Sequence, residues 1–488
     1  MAAAAQVATL RWVGLRILFL LVLSTNAAFC GETVKYLPGF DGELPFKLET
    51  GYISVNDSEL FYYFLESQGN PQEDPLFLWL TGGPGCSSFS GIVYEIGPIQ
   101  FDIHNYIGGL PKFSYYPYAW TKTASIIFLD SPVGTGFSYS TTQEGWPSSD
   151  SLAVEQAYEF LRKWLNEHQQ YLLLQLFIAG DSYSGMIVPL ITKKVVEGND
   201  ANLKPFLNLK GYLVGSPITD LFLNSNEKIT FAHRMALISD ELYEKMKSSC
   251  NRNYVYVAPS NTECHEALAE YNKCVKGLYM NDILEPSCQF ASPQHYEGVR
   301  QRLAEEKHLD YVLSPPKVQE LWCRNFNYVL AYTWANDDSV QDALHVRKGK
   351  VKVWERCNGT LAYTQDVSSV IDVHRWLSKR DLQLLVECGD RDMAVPFTAT
   401  EIWIRALNLS VDDEWRPWFV DGQVAGYTKK YDTNENGFHL TYATVKGGGH
   451  TAPEYYRREC YEMFNRSSIY CTQSIQSPNQ IHCLPNTI

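Results

Sequence analysis

The chain has too few basic residues for a protein that binds nucleic acid. Its 488 residues include 41 lysines and arginines against 55 aspartates and glutamates, which gives a formal net charge of −14. Nucleic-acid-binding proteins neutralise phosphates with clustered basic side chains, and no basic stripe offsets the acidic excess here. We therefore expect no nucleic-acid partner.

The chain also lacks an apolar run long enough to cross a membrane. The N-terminal run "ILFLLVL" (17–23) is shorter than the about 20 residues that a spanning helix needs. Arg11 and Arg16 precede it and small residues follow in "STNAAFCG", a pattern typical of a secretory signal peptide. We interpret residues 1–30 as that peptide, and we predict a vacuolar or extracellular protein with no membrane span.

Secretion would expose the chain to disulfide formation and N-glycosylation. Removal of Cys30 with the signal peptide leaves an odd number of the 12 cysteines, so at least one is free or paired elsewhere. The sequence also contains N-x-S/T sequons, which predict glycosylation at one or more sites. These sequons lie at Asn56, Asn358, Asn408 and Asn465.

The sequence shows no internal repeat and no low-complexity tract; strand-like and helix-like segments alternate instead. Apolar runs predict strands over 59–67, 75–83, 124–132 and 382–390, and helical spacing follows a Ser/Asp cap over 148–168. Such alternation predicts an α/β fold, a mostly parallel sheet with helices on both faces. Cysteines and charged helical segments indicate an insertion over about 220–345. We expect residues 31–488 to form one domain with this insertion as a cap.

Ser182 lies at a predicted strand-to-helix junction, in "LFIAGDSYSGMIVP" (176–189). A serine on such a turn is held in a strained loop that exposes its hydroxyl above the sheet. The usual pattern is G-x-S-x-G, whereas this chain has Gly180, Ser182 and Ser184, with Gly185 one position later. A serine that only caps the following helix is the structural alternative.

A serine nucleophile needs a histidine base and a carboxylate that orients it. The stretch "LLVECGDRDMAVPF" (384–397) offers an aspartate after a late strand, and "VKGGGHTAPE" (445–454) places His450 on a glycine-rich turn. The order Ser, Asp, His is the order in which α/β-hydrolases carry these groups. The glycines of "WLTGGPGCSS" (79–88) let backbone N–H groups approach a reacting carbonyl, as an oxyanion hole requires.

These motifs resemble those of plant serine carboxypeptidase-like proteins, a family with the α/β-hydrolase fold. The resemblance extends from "LPGFDGELPFKLETGYI" (37–53) to "GGGHTAPEYYRRECYEMF" (447–464). It implies Ser182 as nucleophile, His450 as base and Asp392 as the orienting acid. Asp390 is the weaker candidate acid, because the family pattern G-x-x-D fits Gly389 to Asp392.

The same resemblance implies the oxyanion donors and the disulfides, and we expect no metal or cofactor. The donors are the backbone N–H groups of Gly83 and Tyr183. The implied disulfides are Cys86–Cys357, Cys250–Cys264 and Cys288–Cys323. Some relatives are also cleaved internally, and a two-chain form after processing near 290–315 stays an open alternative for this protein.

The chain departs from the peptidases of this family where they bind a substrate's terminal carboxylate. Those enzymes use an Asn in N-G-G-P-G, a Glu in G-E-S-Y and a second Glu. This chain has Thr81 and Asp181 at the first two positions, and Glu95 remains. A threonine hydroxyl lacks the reach of an amide donor and aspartate is one methylene shorter, so we expect a site altered away from peptides.

The motifs resemble instead the acyltransferase branch of the family. Its members move an acyl group from a 1-O-β-glucose ester to an alcohol or amine of specialised metabolism, so the expected partners are small molecules. Two hypotheses stay open: an acyltransferase, and a carboxypeptidase with an altered carboxylate site. The C-terminal tail, which carries Cys471 and Cys483, also departs from the family pattern.

Overall fold

The computed structural model describes residues 31–286, 324, 326–433 and 436–467. Four predictions lie outside these residues. They are the signal peptide (1–30), the Cys288–Cys323 disulfide, processing near 290–315 and the variant tail with Cys471 and Cys483.

Strands and helices alternate over most of the described chain. The strands are β1 Glu32–Val34, β2 Leu48–Val55, β3 Ser58–Leu65, β4 Leu76–Leu80, β5 Ile99–Phe101, β6 Phe113–Tyr115, β7 Ser125–Leu129, β8 Tyr139–Ser140, β9 Ser148–Ser149, β10 Leu176–Asp181, β11 Leu209–Gly215, β12 Tyr363–Thr364, β13 Gln383–Gly389, β14 Ser410–Val420, β15 Gln423–Asp432 and β16 His439–Val445. The α-helices are α1 Asp150–Glu167, α2 Ser184–Asp200, α3 Leu221–Asn226, α4 Lys228–Arg234, α5 Asp240–Ser249, α6 Thr262–Val275, α7 Phe326–Ala335, α8 Asp338–Ala343, α9 Ile371–Leu377, α10 Phe397–Ala406, α11 Ala452–Tyr455 and α12 Arg457–Arg466.

One large sheet organises the described residues, and its centre is parallel. The strand order is β1-β2-β3-β7-β4-β10-β11-β13-β16-β15-β14, with β8 beside β3. Neighbouring strands from β7 to β16 run parallel, and both ends of the sheet are antiparallel. The predicted α/β fold with a mostly parallel sheet is confirmed.

The central strands bury both of their faces, which explains why they read as continuous apolar runs. Leu78 points to one face, where the side chains of α1, α2, α9 and α10 cover it. Trp79, one residue on, points to the other face and joins a cluster that includes Trp334 and Phe464. Alternation along each strand therefore gives the sheet two separate cores.

Helices α3 to α6 follow β11 and lie within the range predicted for the insertion. The apolar side chains of α4 to α6, among them Phe231 and Met246, make a cluster of their own with Met393 from the loop after β13. No helix of the described residues is both long enough and apolar enough to cross a membrane.

Two of the implied disulfides are present: Cys86–Cys357 and Cys250–Cys264. Among the described residues Cys274, Cys388 and Cys460 are unpaired thiols. The four sequons differ in accessibility. Asn56 and Asn408 are exposed, and Asn358 and Asn465 are half-buried. Glycosylation stays a prediction, and the exposed pair are its best sites.

Candidate active site

The nucleophile elbow is the turn between β10 and α2. Ser182 has a positive φ of 57°, a strained left-handed conformation for a residue other than glycine. Two hydrogen bonds hold the turn: the Ser182 N–H donates to the Gly215 carbonyl (2.8 Å), and the Ile218 N–H donates to the Ser182 carbonyl (3.0 Å). The helix-cap alternative does not describe this geometry, because Ser182 precedes the N-cap, Tyr183.

Small neighbours let the elbow close against the sheet. A Cβ at Gly180 would lie 2.4 Å from the Leu80 carbonyl oxygen, and one at Gly185 would lie 2.6 Å from that of Ile218. Gly185, the displaced second glycine of the motif, therefore still lies where a neighbouring backbone leaves no room for a Cβ.

The structure brings the three predicted triad side chains together. His450 Nε2 lies 2.7 Å from Ser182 Oγ, and His450 Nδ1 lies 2.7 Å from Asp392 Oδ2. Asp392 is fully buried, and its other oxygen accepts hydrogen bonds from the N–H groups of Ala394 (2.8 Å) and Val395 (3.0 Å). A carboxylate fixed in this way orients the imidazole so that Nε2 faces the serine.

Asp390, the weaker candidate acid, has a different place. Its Oδ1 accepts the N–H of Gly447 at 2.7 Å, which ties the acid loop to the turn that carries His450. Asn281, which follows α6, also supports this turn, because its carbonyl accepts the His450 N–H at 2.6 Å. Sequence reasoning did not find Asn281, since a backbone carbonyl carries no residue signature.

The net effect of the surroundings is to favour protonated His450. Burial lowers the pKa of the imidazole, but the charge and hydrogen bond of Asp392, together with the charge of Asp181, outweigh it and hold the pKa above its usual value. The imidazolium that forms when a serine loses its proton is thus stabilised in place.

The predicted oxyanion loop lies against the elbow. A Cβ at Gly82 would be 2.7 Å from both Ser182 Cβ and the Tyr183 nitrogen, so only glycine fits there. Gly83 has a φ of +119°, which also favours glycine. Neither the Gly83 nor the Tyr183 N–H donates any of the loop or capping hydrogen bonds found in the described chain.

Asp130, which sequence reasoning missed, supports this loop from beneath. Its buried carboxyl accepts hydrogen bonds from Ser87 Oγ (2.7 Å) and the Ser88 N–H (2.9 Å) on one side and from the Phe137 N–H (3.0 Å) on the other. Ser88 Oγ in turn accepts the Thr81 N–H at 3.2 Å. The hydrogen bonds therefore connect β7 to the residues that precede Gly82.

The three residues at the altered carboxylate site are all buried. Thr81 Oγ1 accepts a hydrogen bond from Trp79 Nε1 (3.3 Å), and Asp181 Oδ1 accepts the N–H of Gly82 (3.2 Å). Burial raises the pKa of Asp181 to about 6, against the lowering effects of His450 and of the Gly82 N–H. Burial, then the charge of Asp181, holds the pKa of Glu95 well above its ordinary value.

Two further charged residues near the site were not predicted. Arg356 precedes the disulfide cysteine Cys357, and its guanidinium stacks 3.8 Å from the ring centre of Tyr328. Among the described residues this guanidinium makes no hydrogen bond or ion pair. Glu387 lies on β13, close enough to Asp181, Asp392 and His450 for their charges to affect its pKa.

Fold and geometry together define the class: an α/β-hydrolase whose elbow serine, histidine and aspartate form a hydrogen-bonded triad. A model of the serine carboxypeptidase family matches residues 38–468. The chain belongs to the serine carboxypeptidase family. It is 45% identical to serine carboxypeptidase-like 16 of Arabidopsis thaliana over 440 residues, 90% of this chain and 94% of that protein.

Other comparisons agree with this assignment. Serine carboxypeptidase-like 2 of Arabidopsis thaliana is 43% identical over 455 residues, 93% of this chain and 96% of the relative. A solved structure of a prohormone-processing carboxypeptidase from Saccharomyces cerevisiae superposes with a TM-score of 0.68 at 20% identity, covering 89% of this chain and 94% of that one. At this identity the yeast structure supports the fold alone.

The contact at Gly82 yields a test of the site's geometry. We expect Gly82→Ala to lower the rate at which a fluorophosphonate labels the enzyme by on the order of 10²-fold, because the added Cβ pushes the oxyanion loop from the elbow. Gly359→Ala is the matched control, since a Cβ there meets nothing within 4 Å. Equal labelling of the two variants would contradict the described packing.

Proposed function

We propose that the protein transfers an acyl group from a 1-O-β-glucose ester, through an acyl-enzyme on Ser182, to an alcohol or amine acceptor. The observation that carries the proposal is an intact triad beside a carboxylate site that has lost its amide donor. At that site Thr81 and Asp181 replace the residues that grip a peptide's terminal carboxylate in the family's peptidases. Thr81 Oγ1 already accepts from Trp79, and Asp181 Oδ1 is occupied by the Gly82 N–H.

The proposed reaction has two halves that use the same groups. Ser182 Oγ attacks the ester carbonyl while His450 takes its proton, and the N–H groups of Gly83 and Tyr183 stabilise the oxyanion. His450 then protonates the departing glucose oxygen. In the second half His450 deprotonates the acceptor, whose oxygen or nitrogen attacks the acyl-enzyme and releases Ser182.

Asp392 holds the imidazole in one tautomer through both halves and does not itself take the proton. No metal or cofactor enters this scheme. Transfer wins over hydrolysis when a bound acceptor excludes water from the acyl-enzyme.

A serine carboxypeptidase is the second candidate, and Arg356 is the observation in its favour. A half-buried guanidinium without a hydrogen bond among the described residues is a suitable partner for a carboxylate. Such a group can replace the missing amide donor. Asp181 opposes this use once it is ionised, because its carboxylate repels an incoming anion.

We further propose that the protein matures in the secretory pathway and resides in the vacuole or outside the cell. The signal-peptide pattern supports this, as do two disulfides and two exposed sequons.

The proposed activity is tested by supplying acyl glucose esters with and without an acceptor alcohol. We expect acceptor-dependent ester formation by the native protein, measured by liquid chromatography with mass detection. Ser182→Ala should lower it by on the order of 10⁴-fold or more, since a triad acts as a unit. Ser184→Ala is the matched control and should retain activity. Ester formation that survives in the Ser182 variant would contradict the assigned nucleophile.

The altered carboxylate site yields a separate prediction. Thr81→Asn combined with Asp181→Glu should raise the turnover of a blocked dipeptide by on the order of 10²-fold or more. Each restored hydrogen bond to a charged group contributes roughly 1.5–3 kcal/mol. The measurement is release of the C-terminal amino acid at acidic pH, with each single variant as a control.

One result would contradict the proposed transfer activity. If the unmodified protein releases C-terminal amino acids efficiently and shows no acceptor-dependent transfer, the carboxypeptidase assignment replaces the acyltransferase one.

A further inference from the structure

Glu387 lies under the nucleophile elbow because of the strand register. Asp181 on β10 is paired with Gly215 on β11, and Gly215 is paired with Glu387 on β13, so the three residues form a row across the sheet. Residues in one row point to the same face of a sheet. Gly215 has no side chain, and the Glu387 side chain fills part of that space.

Distances from the empty Cβ position of Gly215 define how close the acids come. Glu387 Oε1 lies 2.6 Å from that position and Asp181 Cβ lies 3.6 Å from it. A larger residue at 215 would separate the two acids. With glycine there, the Glu387 carboxyl lies beside the residue that immediately precedes Ser182.

The Glu387 carboxyl is poorly solvated. The residue is 3% exposed, and among the described residues its Oε2 atom has no hydrogen-bond partner. A buried carboxylate without a donor carries a large desolvation cost, which the neutral acid avoids. This orphan oxygen belongs to no step of the proposed reaction.

Titratable groups approach Glu387 from four neighbouring elements. They are Asp181 on β10, Asp392 on the loop after β13, His450 on the turn after β16 and Cys460 on α12. Burial first, then the charges of Asp181 and Asp392, raise the pKa of Glu387 to about 8, and His450 opposes the shift. The Cys460 thiol has a raised pKa from burial, to which Glu387 adds.

We propose that Glu387 is a positioning residue that keeps its proton while Ser182 reacts, and that its ionisation sets the alkaline limit of acylation. The inference rests on Ser182 as the nucleophile and is independent of the choice between transfer and peptide hydrolysis.

The alkaline limit follows from the number of negative charges beneath the elbow. When Glu387 holds a proton, its carboxyl adds no charge to that of Asp181 below the reacting atoms. When it loses the proton, a second anion faces the site where the oxyanion develops and raises the energy of that state.

The test is the pH dependence of Ser182 labelling by a fluorophosphonate, corrected for reagent hydrolysis. For the wild-type protein we expect the labelling rate to reach a plateau and then to fall above pH 8 with the loss of one proton. At pH 9 it should be about a tenth of the plateau rate. Glu387→Gln cannot ionise, so its rate should change by less than about twofold over that range. Its acidic limb, which His450 sets, should be unchanged.

Two further variants complete the experiment. Glu387→Met, an apolar side chain of similar length, should also lack the alkaline fall, and it serves if the Gln variant fails to fold. Glu414→Gln, an exposed position on β14, should reproduce the wild-type profile.

Two outcomes would contradict the role of Glu387, and both can be told apart from an error in the assignment of Ser182 as the nucleophile. If Glu387→Gln retains the wild-type fall, another group sets the limit and the inference is wrong. A variant whose rate drops by the same factor at every pH would show a merely structural role. Loss of labelling in Ser182→Ala, by contrast, tests the nucleophile alone.

Discussion

The parallel register of β4, β10, β11, β13 and β16 is the constraint on which the site depends. Parallel strands end at the same edge of a sheet, and each functional group here follows the carboxyl end of one of these strands. Gly82 and Gly83 follow β4, Ser182 follows β10, and Asp392 and His450 follow β13 and β16. Ser182 and His450, which are 268 positions apart in sequence, meet because their strands belong to the same parallel sheet. The glycine contacts then set how closely the turns can approach.

A second property of the site is its buried acidity. Asp181, Glu95 and Glu387 lie beneath or beside the elbow, and burial raises the pKa of each. Such a cluster is costly unless protons or cations neutralise it. Asp181, when ionised, stabilises a cationic histidine and disfavours a second anion, which supports the proposed preference for neutral substrates such as glucose esters over peptides that end in a carboxylate. Arg356 is the nearby cation that acts against this preference.

The sequence identified site residues where a reactive residue type and a recognisable local backbone pattern occur together. Ser182 and His450 could be predicted because small residues surround each one at the end of an apolar strand. Asp392 needed the family pattern to be preferred over Asp390, and so did the pairing of Cys86 with Cys357. The division into one domain with a cap over about 220–345 stays a prediction.

What the sequence could not reveal depends on contacts across the sheet. Glu387 reads as one polar residue in an apolar strand, and only the register with Gly215 and Asp181 places it under the elbow. Asp130 likewise follows a strand, and nothing in the sequence around it indicates that its carboxyl accepts hydrogen bonds from Ser87 and Ser88. These residues act through neighbours that are distant in sequence, so no local motif marks them.

The most direct test of the central claim is to trap the acyl-enzyme. The protein is mixed with an acyl glucose ester, quenched in acid and analysed by intact-mass and peptide mass spectrometry. The account predicts a mass increase equal to the acyl group, located on the peptide that contains Ser182, and faster loss of that mass with an acceptor alcohol than with water alone. An adduct on another residue, or discharge at a rate that no acceptor changes, would contradict it.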